Sequence, residues 1–250
     1  MNKVLGYLFT PLFVLLFWSV LLVFHPLLVA AYYIGGYSPH KRVLEWMNFC
    51  ILWALRVIGT RFDVVFNVSL PRGRPLIVVS NHQSMYDVPL LLLAFRKHHP
   101  KFISKVELSR GIPSISFALR HMGSALINRR DPAQALSAIE EFGRTTEKLN
   151  HTACIFPEGT RARDGRMKPF KYGGLQTLIS NMPNAAIVPV VISGSWQILR
   201  YNFWPVPYGI RVKVRVLAVL EHRNRDAKEV CSTVEEMIRS ELESLQQSSR

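Results

Sequence analysis

From Val4 to Phe24 the chain carries no charged residue, and no other feature constrains its folding as strongly. Leu, Val and Phe dominate the run, and at ~1.5 Å per residue it makes a helix roughly 30 Å long, about the thickness of a bilayer's hydrocarbon core. A cleaved signal peptide is the alternative. It fits less well, because Lys3 alone supplies the basic flank, no small-x-small cleavage site follows, and the apolar run exceeds the usual ~7–15 residues. The expectation is a retained apolar helix over residues 4–34, bent near Pro26, where a backbone donor is lost. Gly35, Gly36 and Pro39 then predict a turn carrying His40, Lys41 and Arg42, followed by a second apolar helix over Val43–Ile58. Charges at a bilayer centre are costly. The hairpin therefore either lies shallowly with its basic tip among headgroups, or its first helix crosses completely.

From about Thr60 the pattern changes to short β-rich runs alternating with helices. Strands are expected at Phe62–Val68, Leu76–Ser80, Phe102–Ser104, Ala125–Ile127, Ala153–Phe156, Ala186–Val191 and Arg211–Val219. Helices are expected at Asp87–Lys97, Pro132–Leu149 and Asp226–Leu245. The predicted fold is α/β: a single catalytic domain over residues 60–250, with a central mixed sheet flanked by helices, preceded by a membrane-associated helical hairpin over residues 1–59. The net charge of +14 points to an anionic partner, with a solvated surface as the alternative for the scattered Lys and Arg. A nucleic-acid binder would interleave aromatics with its Lys and Arg. Here Phe9, Phe13, Phe17, Trp18 and Phe24 crowd into the apolar front, so a membrane surface fits and nucleic acid does not. Cys50, Cys154 and Cys231 are scattered, with no CxxC and no metal-ligand spacing. They predict inert thiols in a reducing compartment, a catalytic domain facing the cytoplasm and no metal. His98 and His99, beside Lys97 and Lys101, predict an exposed turn.

Two constellations carry chemistry. Ser80-Asn81-His82-Gln83-Ser84-Met85-Tyr86-Asp87 follows an apolar strand and opens a helix, the place where α/β proteins present reactive groups. Histidine is the side chain whose ordinary pKa lies near neutrality, so His82 can serve as a general base, and Asp87 can fix its tautomer. Within a regular helix their side chains would point about 140° apart. Contact thus requires His82 in the loop, reaching back over the first helical turn. Ser84 and Asp87 have the spacing of a capping pair. Taken alone, the pair also fits an ordinary loop histidine beside a capping aspartate. Phe156-Pro157-Glu158-Gly159-Thr160-Arg161 again follows an apolar strand: Gly159 permits close approach, Thr160 adds a hydroxyl and Arg161 a fork suited to phosphate. Arg163, Arg166, Lys168 and Lys171 continue the basic loop, with Gly165 and Gly173-Gly174 as expected hinges.

On these residues the sequence resembles the glycerolipid acyltransferases, most closely bacterial 1-acyl-glycerol-3-phosphate (lysophosphatidic acid) acyltransferases. The NHxxxxD block is present as Asn81, His82 and Asp87, and the FPEGTR block is complete at Phe156–Arg161. Lys105, Leu108, Pro113, Gly123, Arg129 and Arg130 supply the elements between them, and Ile187-Val188-Pro189-Val190 the fourth block. Tyr201–Tyr208 matches no motif.

The resemblance implies a membrane enzyme of the bacterial inner membrane that needs no cofactor. It would move an acyl group from acyl-CoA or acyl carrier protein directly to a lysophospholipid hydroxyl, making phosphatidic acid. His82 would act as base with Asp87 behind it, and Lys105 would steady the oxyanion or thioester. Arg129, Glu158, Gly159, Thr160 and Arg161 would hold the acceptor's glycerophosphate, with Glu158 orienting Arg161, Lys105 or a hydroxyl. Another lysolipid or glycerol-3-phosphate is the alternative acceptor. A non-enzymatic membrane scaffold, which would need no His82–Asp87 pair, is the alternative of another class.

Overall fold

The computed structural model describes residues 2–248. It opens with one helix, α1 (Lys3–Gly35), which continues through both Pro11 and Pro26. Asn2 caps it, its Oδ1 accepting from the backbone N–H of Val4 (3.0 Å) and Leu5 (3.2 Å). Gly36, at φ 68°, is the single residue between α1 and α2 (Tyr37–Ala54). The expected turn at 35–42 is therefore shorter than its composition suggests, because Pro39 is tolerated within the first helical turn. Lys41 and Arg42 lie within α2, and Lys41 pairs with Glu45 one turn further on. The second helix ends at Ala54 rather than Ile58.

Among the described residues the seven strands are β1 (Arg61–Phe66), β2 (Leu76–Ser80), β3 (Pro100–Lys105), β4 (Ala125–Ile127), β5 (Thr152–Ile155), β6 (Ala186–Ser193) and β7 (Arg211–Val216). They form one sheet in the order β1-β7-β6-β2-β5-β3-β4. Every neighbouring pair is parallel except β6–β7, so the sheet is mixed as expected. The remaining helices are α3 (Asp87–Ala94), α4 (Ile115–His121), α5 (Pro132–Lys148), α6 (Tyr172–Asn181) and α7 (Ala227–Gln247).

The central strands β2 and β6 are buried along their whole length, which explains their unbroken apolar runs. Leu76 and Val78 face one core, shared with residues of α1 to α4. Ile77 and Val79 face the other, against Ile139 and Phe142 of α5, Leu175 and Leu178 of α6, and Val230, Val234 and Ile238 of α7. The result is helices on both faces of the sheet. β7 alternates as its sequence predicts, with Val212, Val214 and Val216 buried. It ends at Val216, short of Val219, although Leu217 N still donates to Pro189 O of β6 at 2.9 Å.

Helices α4 and α6 were not foreseen, and α6 corrects a reading. Gly173 and Gly174 lie inside that helix rather than at a hinge. A Cβ on Gly174 would meet Ile139 at 3.3 Å and Ile155 at 3.4 Å, so glycine lets α6 sit close on α5 and the sheet. The expected exposed turn at His98–His99 is also corrected. Both side chains are half-buried, and His99 stacks on His151 (4.8 Å between centroids) and Tyr37. The Tyr37 hydroxyl donates to His99 Nδ1 (2.8 Å) and accepts from Lys101 Nζ (2.9 Å). These residues precede or begin β3, β5 and α2, and only the fold gathers them at the sheet's N-terminal edge.

Helix α1 is docked on the domain along most of its length. Thr10, Phe13, Leu21 and Leu28 are buried, and the rings of Phe13 and Phe17 each meet Tyr86 at 6.2 Å. Ser114 donates from its N–H to His25 Nδ1 (3.0 Å) and from its hydroxyl to Leu21 O (2.5 Å). Nearer the start, Val206 N donates to Thr10 Oγ1 at 2.9 Å, and Asn2 and Tyr208 exchange two backbone hydrogen bonds at 3.2 Å. The segment that matches no motif is thus the seat of the N-terminal helix. The opposite side of α1 is a bare apolar stripe: Val4, Leu8, Leu15, Leu22 and Val23 are all exposed. The helix is long and apolar enough to cross a membrane by length and composition.

Candidate active site

Because β2, β3, β4, β5 and β6 run parallel, the loops leaving their C-terminal ends share one edge of the sheet. That edge is where an open α/β sheet holds its ligands. His82 follows β2, Lys105 ends β3, Arg129 follows β4, the Phe156–Arg161 block follows β5 and Ser195 follows β6.

His82 stands in the loop before α3, and Asp87 is the first residue of that helix, the only placement that lets them meet. Their Nδ1–Oδ2 distance is 2.9 Å. The same Oδ2 accepts the backbone N–H groups of Gln83 (2.7 Å) and Ser84 (2.8 Å), while Oδ1 accepts the Ser195 hydroxyl at 2.6 Å. Asp87 is completely buried, and four donors compensate its lost hydration. With the proton on Nδ1 directed at Asp87, the Nε2 lone pair remains available as a base. Tyr86, rather than Ser84, is the N-cap of α3; the Ser84 Oγ accepts from Tyr86 N at 3.3 Å just ahead of the helix. Asn81 locks the loop from behind: its amide exchanges two 2.8 Å hydrogen bonds with the backbone of Ile192, extending the β2–β6 pairing by side chain.

The second block folds against the first. Phe156 stacks on the His82 ring at 4.1 Å between centroids, fixing its plane. Ala162 N donates to His82 O at 2.7 Å. Glu158 is buried, and its two oxygens accept from His82 N (2.6 Å) and Lys168 N (2.8 Å). The carboxylate therefore ties the two loops together through their backbones, in place of the expected contact with Arg161 or Lys105. Burial raises its pKa, opposed by those two N–H donors. Gly159 takes φ 70°, a left-handed turn that suits glycine. Lys168 Nζ donates to Thr160 Oγ1 (2.9 Å) and Arg161 O (3.0 Å), bracing the strand of the loop that presents Arg161.

Arg161 is half-buried and Arg129 exposed. Desolvation by the surrounding protein lowers the pKa of each. The charge of Arg161 lowers Arg129 further, with Glu107 opposing, and the charge of Arg163 lowers Arg161 further, with Asp87 opposing. Like charges held this close favour an incoming anion. Lys105 is half-buried at the end of β3. Two strand spacings separate β3 from β2, about 10 Å, with β5 between them. The structure thus gathers His82, Asp87 and Glu158 by direct contact and sets Lys105, Arg129, Thr160 and Arg161 around the same edge. Sequence reasoning missed Ser195 altogether and gave no role to Phe156. Ser195 follows Gly194, at φ 89° with no room for a Cβ, but a Gly-Ser pair after a strand carries no distinctive signal.

A family model described as acyltransferase matches residues 61–193, just over half of the chain. The chain is similar to a 1-acyl-sn-glycerol-3-phosphate acyltransferase of Chlamydomonas reinhardtii, 26% identical over 240 residues that cover 90% of this chain and 67% of that protein. A chloroplastic protein of the same description from Brassica napus is 34% identical over 125 residues, covering 50% of this chain and 35% of that one. The match with the Brassica protein thus spans about a third of the relative's length. Among solved structures, the 1-acyl-sn-glycerophosphate (LPA) acyltransferase PlsC from Thermotoga maritima superposes with a TM-score of 0.76 at 24% identity, covering 98% of this chain and 96% of that one. This likeness establishes the fold.

Proposed function

The chain belongs to the acyltransferase family, and from that premise we propose that it acylates the free hydroxyl of 1-acyl-glycerol-3-phosphate, giving phosphatidic acid. The observation that carries the reading is the His82–Asp87 pair, 2.9 Å apart, with Arg161 and Arg129 crowded onto the same sheet edge. In this mechanism Nε2 of His82 takes the acceptor hydroxyl's proton as the oxygen attacks the thioester carbonyl. Asp87 stabilises the imidazolium that forms. The tetrahedral intermediate collapses, the carbon–sulfur bond breaks, and the thiolate leaves with the proton returned from His82. Lys105 stabilises the oxyanion. Arg129 and Arg161 bind the acceptor phosphate, for which planar guanidinium forks suit a phosphate monoester. The acyl donor is acyl-CoA or acyl-acyl carrier protein, whose thioester supplies the leaving group.

The relatives' descriptions support this acceptor. α1, with its apolar stripe, supports membrane association. Because α1 is docked along the catalytic domain, it lies in the bilayer surface on this reading rather than crossing as a free span. The test is turnover in detergent with each donor and a panel of lyso-acceptors. Lysophosphatidic acid is expected to be preferred over lysophospholipids whose phosphate is esterified by a headgroup; equal use of both would overturn the phosphate-monoester assignment. Arg161→Ala is expected to raise the acceptor KM by about tenfold or more, the loss of one charge-assisted contact.

A further inference from the structure

Beyond Ser195, the segment between β6 and β7 has no part in the chemistry above, yet it is built unusually. Since β6 ends and antiparallel β7 begins at the edge that carries His82, the excursion from Gly194 to Ile210 leaves and rejoins the sheet at the active-site edge. Its tip exposes two large aromatics, Phe203 at 46% and Trp204 at 52%. Asn202 and Phe203 both hold positive φ, 50° and 72°. For a residue as bulky as Phe this is a strained conformation, sustained only where surroundings enforce it. Here they do: Asn202 N donates to Leu199 O (3.1 Å), Trp204 N to Tyr201 O (3.0 Å), and Val206 and Tyr208 are bonded to α1. Cations flank the tip. Lys3 Nζ lies 4.8 Å from the centre of the Tyr201 ring, and the Arg200 guanidinium lies 5.6 Å from Trp196 and 5.7 Å from Tyr201.

We infer that this loop is a second membrane-contacting element, seating Phe203 and Trp204 in the headgroup region of an anionic bilayer beside the first turns of α1. The inference rests on the membrane reading of α1 given above and extends it. Aromatic rings with cations beside them are the composition of a membrane interface. Lys3 and Arg200 match anionic headgroups, and the loop is joined to the first turns of α1 through Val206 and through Lys3 over the Tyr201 ring. Strain that holds Phe203 outward serves no purpose within the domain, where the ring leaves half of its surface in water. The loop also leaves and rejoins the sheet at the edge that carries His82, so its contact places the catalytic edge against the lipid from which the acceptor comes.

The full chain tests this, with Cys50→Ser as background and single labelling sites at Phe203→Cys, Leu15→Cys and Glu243→Cys, each carrying an environment-sensitive fluorophore. On vesicles of phosphatidylcholine and phosphatidylglycerol containing brominated lipid, the labels at 203 and 15 are expected to be quenched and that at 243 to remain unquenched. Quenching at 15 without quenching at 203 would overturn the loop's role and leave the α1 reading standing; quenching at neither would overturn both. In a parallel arm, Phe203→Ser with Trp204→Ser is expected to weaken vesicle binding by about tenfold, the loss of two partly buried aromatic anchors. Turnover with detergent-dispersed substrates should be unchanged. Unchanged vesicle binding in that variant would also overturn the proposal, and a preserved melting temperature guards against misfolding as the cause of any loss.

Discussion

At the scale of single residues, the site depends on how completely Asp87 is bound. His82→Ala should lower turnover by about 10²–10⁴-fold, and circular dichroism should report an intact fold. Ser195→Ala removes one of four donors and leaves Asp87 Oδ1 unpaired in a buried position. It should cost about fivefold to tenfold in kcat, with little change in acceptor KM. A change in KM alone would move Ser195 to substrate binding. A second buried group sets a pH dependence. Lys101 is 5% exposed, and burial, with the charge of Lys41 adding to it, pulls its pKa down to about 7. The unfolded chain then binds more protons than the folded one between about pH 7 and the ordinary lysine value, so stability rises with pH across that window. Below it the desolvation penalty is fully present. Lys101→Met should flatten that rise, and its gain over the wild type in thermal denaturation should be greatest at or below neutral pH.

At the scale of elements, strands β2 and β6, helix α5 and the alternation of β7 were legible because their periodicity is set by burial alone. The start of α3 at Asp87 was legible because a helix start has its own local chemistry, although its N-cap is Tyr86 and not Ser84. What stayed hidden depends on contacts distant in sequence. α6 hid behind Gly173-Gly174, which read as a hinge because propensity cannot see that a neighbouring helix requires glycine there. His99 read as exposed because its partners Tyr37 and His151 lie far away in the chain. In the site, His82, Asp87 and Arg161 could be named from their blocks. Glu158's ties to the backbones of His82 and Lys168 could not, because no pattern encodes which N–H a carboxylate will meet. Two glycines offer tests at this scale. A Cβ on Gly194 would stand 2.3 Å from Arg211 O, so Gly194→Ala should lower stability by about 2 kcal/mol or more and disturb Ser195. A Cβ on Gly6 would stand 2.5 Å from Val206 O. Gly6→Val should therefore loosen α1 from the loop, seen as faster tryptic cleavage after Arg200.

At the scale of the whole molecule, charge and apolar surface act together. The net charge of +14 predicts that the protein binds anionic vesicles more tightly than neutral ones, by about 1 kcal/mol for each basic residue that comes near the surface. Sedimentation with vesicles of the two compositions measures the difference. The docking of α1 has a further consequence, one of timing. The surface that receives this helix is assembled from Tyr86, Ser114 and finally Val206 and Tyr208. During synthesis at roughly 5–20 residues per second, the helix emerges about 10–35 seconds before the last part of its seat exists. For that interval its docked face is only partly covered and its apolar stripe is bare. A lipid surface near the ribosome would take up the helix first, and the catalytic domain would then complete itself on a helix already held in place.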